Sequence, residues 1–393
     1  MKRTLLLLLL SVSTLQGQFL SDIPDRLSYA GLFNGTSQYF SKPSPVNGDL
    51  NGSEMVTDPG FESGIWTDTV DCAVAAQSTV QKRSGTYSFL IMPRVASSNV
   101  IARSSNITNA TTNATTNKVT AEFWAYVPTG NTSKTVLYRI VNQVNTNIVT
   151  GSTAITGNTW TKLVINHQLS GTQTGVKLFV GLSATSALTD SLYVDDVSLT
   201  QAWDGLIGLW FYANDITRNL RLVGRTTNGT NSGFEVFTNS SKFSASSQVG
   251  TAFTGSAQSQ PLTSKRWHFG VGVIDRTDSL RVSANGEPLT GAVIATSLGR
   301  ITPDTVFIGS ISGTSQFWSG QTGEMIYVRY STLPSLTALN AWIAHASTQR
   351  FIPEPPGGGT TVLRLFGKEN SAYDQSGNQG VLTNTGNTPI IPR

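Results

Sequence analysis

Alternation of apolar and polar positions runs through most of this chain. It is clearest between 267 and 289, where Phe269, Val271 and Val273 share one side of a strand-length run, and Leu280, Val282 and Ala284 share one side of a second. The polar break 275–279 between them makes a hairpin of two half-buried strands. Asn285-Gly286 then supplies a tight turn, because these residues accept the positive φ angles that others resist. The same reading gives a hairpin over 27–40, with two short apolar runs about Asn34-Gly35. A polar bridge with Pro and two Asn-Gly pairs follows over 41–53 and marks a domain boundary. Strand-length runs recur at 85–92, 119–127, 134–142, 160–167 and 176–182, and again at 205–214, 220–225, 233–239, 242–250, 305–310 and 323–330. The Pro/Gly run 353–359 reads as a linker, and 361–366 as a further strand.

These elements predict an all-β chain with more than one core, since 393 residues exceed one ordinary sandwich. Composition agrees: charged residues make up 13% and Ser, Thr, Asn and Gly are abundant, a balance typical of extracellular or particle-surface β proteins. The net charge of +4 is spread over scattered Lys and Arg, which argues against a nucleic-acid ligand. Cys72 is the only cysteine, so packing rather than disulfides or a cysteine-bound zinc must stabilise the fold, and Cys72 itself reads as a small, at least half-buried residue. Lys2-Arg3 ahead of an apolar run gives 1–18 the form of a secretory leader, and no later segment has membrane-spanning length. Cleavage near Gln18 places the protein outside a cell or on its surface; a retained Met1 suits a virion surface.

Two resemblances organise the strands. The block 54–201 opens on D-P-G-F-E-S-G-I-W and closes on Y-V-D-D-V-S-L, and it resembles the jelly-roll carbohydrate-binding modules that accompany xylanases and glucanases. The pieces Phe33-Asn34-Gly35 with Tyr39, Trp210, Trp267-His268, Asn285-Gly286, Ile308-Gly309, Gly323-Glu324-Met325-Ile326 and the 333–346 segment resemble the concanavalin A-like, laminin G-type sandwich. The second resemblance implies a single short C-terminal helix. Since its first piece lies upstream of the module-like block, the economical architecture is two antiparallel β-sandwiches (jelly rolls), one inserted into the other. The laminin G-like domain then comprises 25–50 and 204–350, with the linker 353–359 and a strand-forming tail over 360–393. The 267–289 hairpin is expected to pack against Leu32 and Phe40. The tail carries Y-D-Q-S-G-N-Q-G-V-L, which in laminin G-like domains precedes the first strand; it either folds back to supply that strand or completes a neighbouring subunit.

The resemblance to carbohydrate-binding modules implies a calcium ion tying first strand to last, with Glu62, Asp195 and Asp196 as its acidic ligands. It also directs attention to 121–127, where Glu122, Trp124 and Tyr126 alternate with the core-like Phe123, Ala125 and Val127. Sugar rings stack their C–H faces on aromatic side chains while polar neighbours read the hydroxyls, so Trp124 and Tyr126 are stacking candidates and Glu122 a hydroxyl acceptor. Trp318, in a Gly-rich loop, is a further ligand-binding candidate for display at a loop tip. Trp66, Trp160, Trp210 and Trp267 match packing positions. No triplet of acids at glycosidase spacing occurs, and Glu235, Glu287 and Glu324 read as solvated. His167, His268 and His345 lie in separate segments without metal-ligand spacing, and His268 reads as a surface or groove residue. With no nucleophile motif or phosphate loop, the sequence predicts a non-enzyme. The leading reading is a glycan-binding or adhesion protein on a cell or phage surface; the alternative is a structural virion protein that uses lectin-like sandwiches to assemble, and a divergent glycosidase ranks last.

Overall fold

The computed structural model describes residues 29–37, 39–43, 51–96, 99–103, 118–128, 134–142, 144, 146–169, 175–183, 187–224, 233–249, 252–276, 279–293, 305–310, 317–349, 351–365, 383–385 and 390–392. The proposed leader and the Y-D-Q-S-G-N segment of the tail lie outside these residues. The chain divides into two compact units, Met1–Leu50 with Trp203–Arg393, and Asn51–Ala202. Both are all-β and antiparallel, each built on two sheets.

In the discontinuous unit the strands are β1 (Tyr29–Asn34) and β2 (Tyr39–Pro43) before the break. The other unit contributes β3 (Asn51–Glu54), β4 (Asp68–Val70), β5 (Cys72–Ser78), β6 (Ser88–Pro93), β7 (Val100–Arg103), β8 (Lys118–Tyr126), β9 (Lys134–Asn142), β10 (Asn147–Ile155), β11 (Thr161–Gln168), β12 (Val176–Leu182) and β13 (Leu192–Ala202). The chain then resumes the first unit with β14 (Asp204–Ala213), β15 (Leu220–Gly224), β16 (Gly233–Asn239), β17 (Lys242–Val249), β18 (Ala252–Pro261), β19 (Trp267–Ile274), β20 (Ser279–Ala284), β21 (Thr290–Val293), β22 (Thr305–Ile308) and β23 (Ser319–Tyr330). It ends with helix α1 (Leu336–Ala346), β24 (Thr360–Leu365), β25 (Thr383–Thr385) and β26 (Ile390–Pro392).

The sheet orders of the discontinuous unit are β21-β20-β19-β14-β23-β1-β26 and β18-β17-β16-β15-β22-β2-β25. β1 and β2 are therefore not paired with each other. Gly35, at φ +77°, turns the chain from one sheet into the other, and a Cβ there would lie 2.8 Å from that of Ser319. The hairpin expected over 27–40 is thus a corner between sheets, and the tight-turn signal is shared by both arrangements. The 267–289 hairpin is separated from β1 in its sheet by β14 and β23, and β1 pairs with β23 while β2 pairs with β22; the side chains of Leu32 and Phe40, on which the hairpin is expected to pack, lie outside the described ones. The turn itself is as read: Asn285 and Gly286 have φ of +54° and +85°.

β19 is buried along its whole length rather than half-buried. Phe269, Val271 and Val273 pack with Leu339, Trp342 and Ile343 of α1, forming one core. On the opposite face Gly270 and Gly272 bring the second sheet close: a Cβ would lie 2.6 Å from Phe243 Cε2 and 2.5 Å from Val236 Cγ1. Leu280, Val282, Phe234 and Val236 belong to the core between the sheets. Helix α1 starts at Ser335, whose hydroxyl accepts the Ala338 N–H.

Trp318 is fully buried in that inter-sheet core, edge-on to Phe211 at 5.9 Å, and does not serve as a displayed loop residue. Its N–H donates to the Gly309 carbonyl, so it is the lead-in to β23. The 353–359 segment is a packed strap: Pro353 accepts the Trp342 indole N–H, and Gly359 leaves room for Val328 and Tyr330. The tail folds back on its own unit, β24 sharing one edge of β23 with β1, β25 on β2 and β26 on β1.

Of the three acids read as solvated, Glu287 is exposed, whereas Glu235 and Glu324 are buried with partners. Glu235, 1% exposed, accepts from Arg221 Nε at 2.8 Å and Ser246 Oγ at 2.6 Å. Glu324, also 1% exposed, accepts from Arg364 at 2.7 Å and from the Ile352 N–H at 2.6 Å. His268 is buried as well: Nε2 donates to the Thr263 carbonyl at 2.8 Å, and Nδ1 accepts from Asn285 Nδ2 at 3.1 Å.

In the other unit the sheets run β10-β9-β12-β7-β4 and β11-β8-β13-β6-β5, with β3 on the edge of β13 beyond β6. Their inner faces meet in one core that includes Phe123, Ala125, Val127, Leu163, Val194 and Leu199. Phe61, Trp66 and Phe89 form an aromatic knot within it, with centroids 5.1–6.0 Å apart. Cys72 is half-buried, and burial pushes its thiol pKa up.

Candidate functional site

The alternation read over 121–127 sorts the side chains of β8. Phe123, Ala125 and Val127 are fully buried inward, while Glu122, Trp124 and Tyr126 are half-buried on the outer face. The flanking strands complete that face: Lys162 of β11 and Asp195 of β13 both stand opposite Trp124, and Tyr193 stands opposite Tyr126.

Tyr126 lies 5.4 Å from Trp160, with the rings tilted by 41°, and 6.1 Å from Tyr193. Its hydroxyl donates to Asn158 Oδ1 at 3.1 Å. Asn158 is exposed and holds a φ of +62°, and its N–H donates to the Val127 carbonyl, which fixes the turn that presents Trp160. Trp160 is thus half-buried on the outer face instead of a core residue. Glu122 pairs with Lys162 at 2.9 Å. Trp124 is covered by the Arg83 guanidinium, 3.9 Å above its ring centre, and Arg83 also pairs with Asp196. Of the two aromatics singled out on β8, Tyr126 joins an aromatic pair and Trp124 a cation–π stack.

Asp195 and Asp196 occupy a β-bulge, the register shifting between Asp195 and Ser198, with Asp196 at φ +47°. The bulge is visible in the spacing of the inward residues, three from Val194 to Val197 and then two to Leu199. Asp195 is fully buried; its carboxylate accepts the N–H groups of Arg83 at 2.8 Å, Ser84 at 3.2 Å and Asp196 at 2.7 Å. Burial raises its pKa against those hydrogen bonds. Asp196 accepts from the Ser84 hydroxyl at 2.5 Å. Glu62 accepts the N–H groups of Thr86 and Tyr87 at 2.8 and 3.1 Å, beneath Gly85. The three acids expected to hold calcium therefore converge on one loop, 83–87, and each accepts hydrogen bonds from it. Among the described residues no group of three His, Cys, Asp or Glu side chains is arranged to hold a metal ion. Nearby, Asp58 accepts from Glu62, Ser63 and Gly64; burial opposes its ionisation, but these bonds outweigh it and hold its pKa down.

The face can stack flat apolar rings and offer hydrogen bonds at its rim. Arg83, Asn158, Lys162 and Tyr193 were not among the site residues drawn from the sequence, and Trp160 was read as a packing residue, because they reach the face from strands and turns remote from β8.

No family model matches the sequence. No curated protein matches it either. Among solved structures the chain is similar to the CBM22-1 xylan-binding domain of Paenibacillus barcinonensis Xyn10C, at 11% identity and a TM-score of 0.31, over 40% of this chain and 98% of that one. It is similar to TmCBM61 in complex with β-1,4-galactotriose at 13% identity and a TM-score of 0.30, over 38% and 99% of the two chains. Domains LG4-5 of the mouse laminin alpha1 chain are similar at 12% identity and a TM-score of 0.26, over 53% and 82%.

Proposed function

We propose that this chain is a non-catalytic glycan-binding protein, secreted or displayed at a surface, whose ligand lies on the outer face of β11, β8 and β13. The carrying observation is the Tyr126–Trp160 pair, two half-buried rings 5.4 Å apart on a rigid sheet, with Asn158 at its rim. Arg83 and Lys162 are each neutralised by a carboxylate, so the flanks favour uncharged hydroxyl-rich rings over acidic ones. Titration of the full chain with neutral polysaccharides and their oligosaccharides tests the reading. Binding that Trp160→Ala and Tyr126→Ala each weaken by tenfold or more, roughly the loss of one stacking contact plus its burial, supports it. No neutral glycan bound at millimolar concentration overturns it. Among the described residues no helix is long and apolar enough to cross a membrane.

A further inference from the structure

The discontinuous unit has a cleft of its own. It lies where the corner at Gly35 and Thr36 meets the segment leading into β15, a wide-mouthed depression of about 600 Å³ lined by Gly35, Thr36, Arg218, Asn219, Leu220 and Phe317. Its lining combines one cation, an amide and a hydroxyl with the half-buried ring of Phe317. We propose that this cleft binds an anionic saccharide, with the Arg218 guanidinium meeting its sulfate or carboxylate.

Three observations lead there. Arg83, Arg221 and Arg364 each pair with a carboxylate, whereas the exposed Arg218 side chain has no hydrogen-bond or ion-pair partner among the described residues. The nearest acid in sequence, Asp215, feels the Arg218 charge but makes no ion pair with it among the described residues; its carboxylate instead accepts the Thr217 N–H at 3.0 Å and the Thr217 hydroxyl at 2.6 Å. Asn219 is held from behind, since Arg221 NH1 donates to its Oδ1, and that leaves the amide Nδ2 as a donor for the cleft. A planar cation with a fixed amide donor matches an oxyanion, and an apolar ring beside them matches the saccharide that carries it. A free inorganic anion would use the cation and the amide but not the ring.

The test uses the full chain and four probes: a heparin-derived oligosaccharide for sulfate, an oligogalacturonate for carboxylate, inorganic sulfate, and a neutral xylo-oligosaccharide as the control whose binding Arg218→Gln leaves unchanged. One or both acidic oligosaccharides bind, with affinity that falls as salt is raised, and Arg218→Gln weakens that binding by about tenfold or more. Arg218→Lys retains part of it, and Trp160→Ala leaves it unchanged, which separates this cleft from the aromatic face of the other unit. Because Arg218 is exposed, its variants are expected to melt with the wild type, and circular dichroism checks this. Acidic oligosaccharides that fail to bind at millimolar concentration, or that bind Arg218→Gln as tightly as wild type, overturn the proposal. So does inorganic sulfate that binds as tightly as the oligosaccharides, since the ring would then contribute nothing.

Discussion

Replacing Glu235 by Gln keeps the shape of the side chain and removes its charge from a place water does not reach. Arg221 and Glu235 are 2% and 1% exposed and meet at 2.8 Å. The ladders explain why the pair is closed on every side. Arg221 stands opposite Phe237, whose ring lies 4.2 Å from the guanidinium carbon, and Glu235 stands opposite Ser246, whose hydroxyl donates to it. In Glu235→Gln the guanidinium stays buried without a counter-charge, and breaking a buried pair from one side costs about 3–5 kcal/mol. For a unit of this size that lowers the melting temperature by on the order of 10 °C. Scanning calorimetry and urea unfolding followed by tryptophan fluorescence read the loss, and Glu287→Gln, at an exposed position, stays within about 0.5 kcal/mol of wild type. The double variant Arg221→Met/Glu235→Leu recovers most of the loss, since it removes the orphan charge rather than creating one. A single variant within about 0.5 kcal/mol of wild type would refute the reasoning, by showing that the site is hydrated after all.

Gly272→Ala forces a methyl group to within 2.5 Å of Val236 Cγ1 and is expected to cost about 1–3 kcal/mol in urea unfolding, whereas Gly64→Ala, with nothing within 4 Å, costs little. His268 should make the same unit acid-sensitive: burial holds its pKa below the usual value, so the folded state refuses a proton that the unfolded chain accepts below about pH 6.5. Its stabilising effect is complete above that pH and is lost as pH falls toward the folded value, by at most about 1.4 kcal/mol per pH unit. Melting temperatures between pH 8 and pH 5 would show a flatter profile in His268→Gln; an unchanged slope sinks this account. Chelation with EGTA leaves the melting temperature of the Asn51–Ala202 unit unchanged, since loop N–H groups already satisfy Asp195, and a drop would show that calcium holds the loop.

What could be read from the sequence divides along a physical line. Period-two alternation depends on neighbours in the chain, so the inward set Phe123, Ala125 and Val127 and the outward set Glu122, Trp124 and Tyr126 were legible before any coordinate. So was the Asn285-Gly286 turn, which depends on two residues' own φ preferences. Buried polar partners are another matter, because the residue that makes an acid's burial tolerable lies elsewhere. Glu235 finds its arginine 14 positions away and Glu324 finds its own 40 away, so each looked like a surface acid. Trp318 failed for a related reason: the Gly-rich run 310–323 looks like a displayed tip, yet its residues from Ser319 onward already belong to β23. The candidate site combines both kinds of information. Tyr126 is placed by alternation along β8, but the ring that makes it a platform comes from Trp160, set by a left-handed Asn158 that bonds back to Val127. The same holds for Trp124. Alternation put it on the right face, and only the bulge at Asp195–Asp196, by drawing Arg83 across it, decides that Trp124 is covered by a guanidinium while Tyr126 and Trp160 pair with each other.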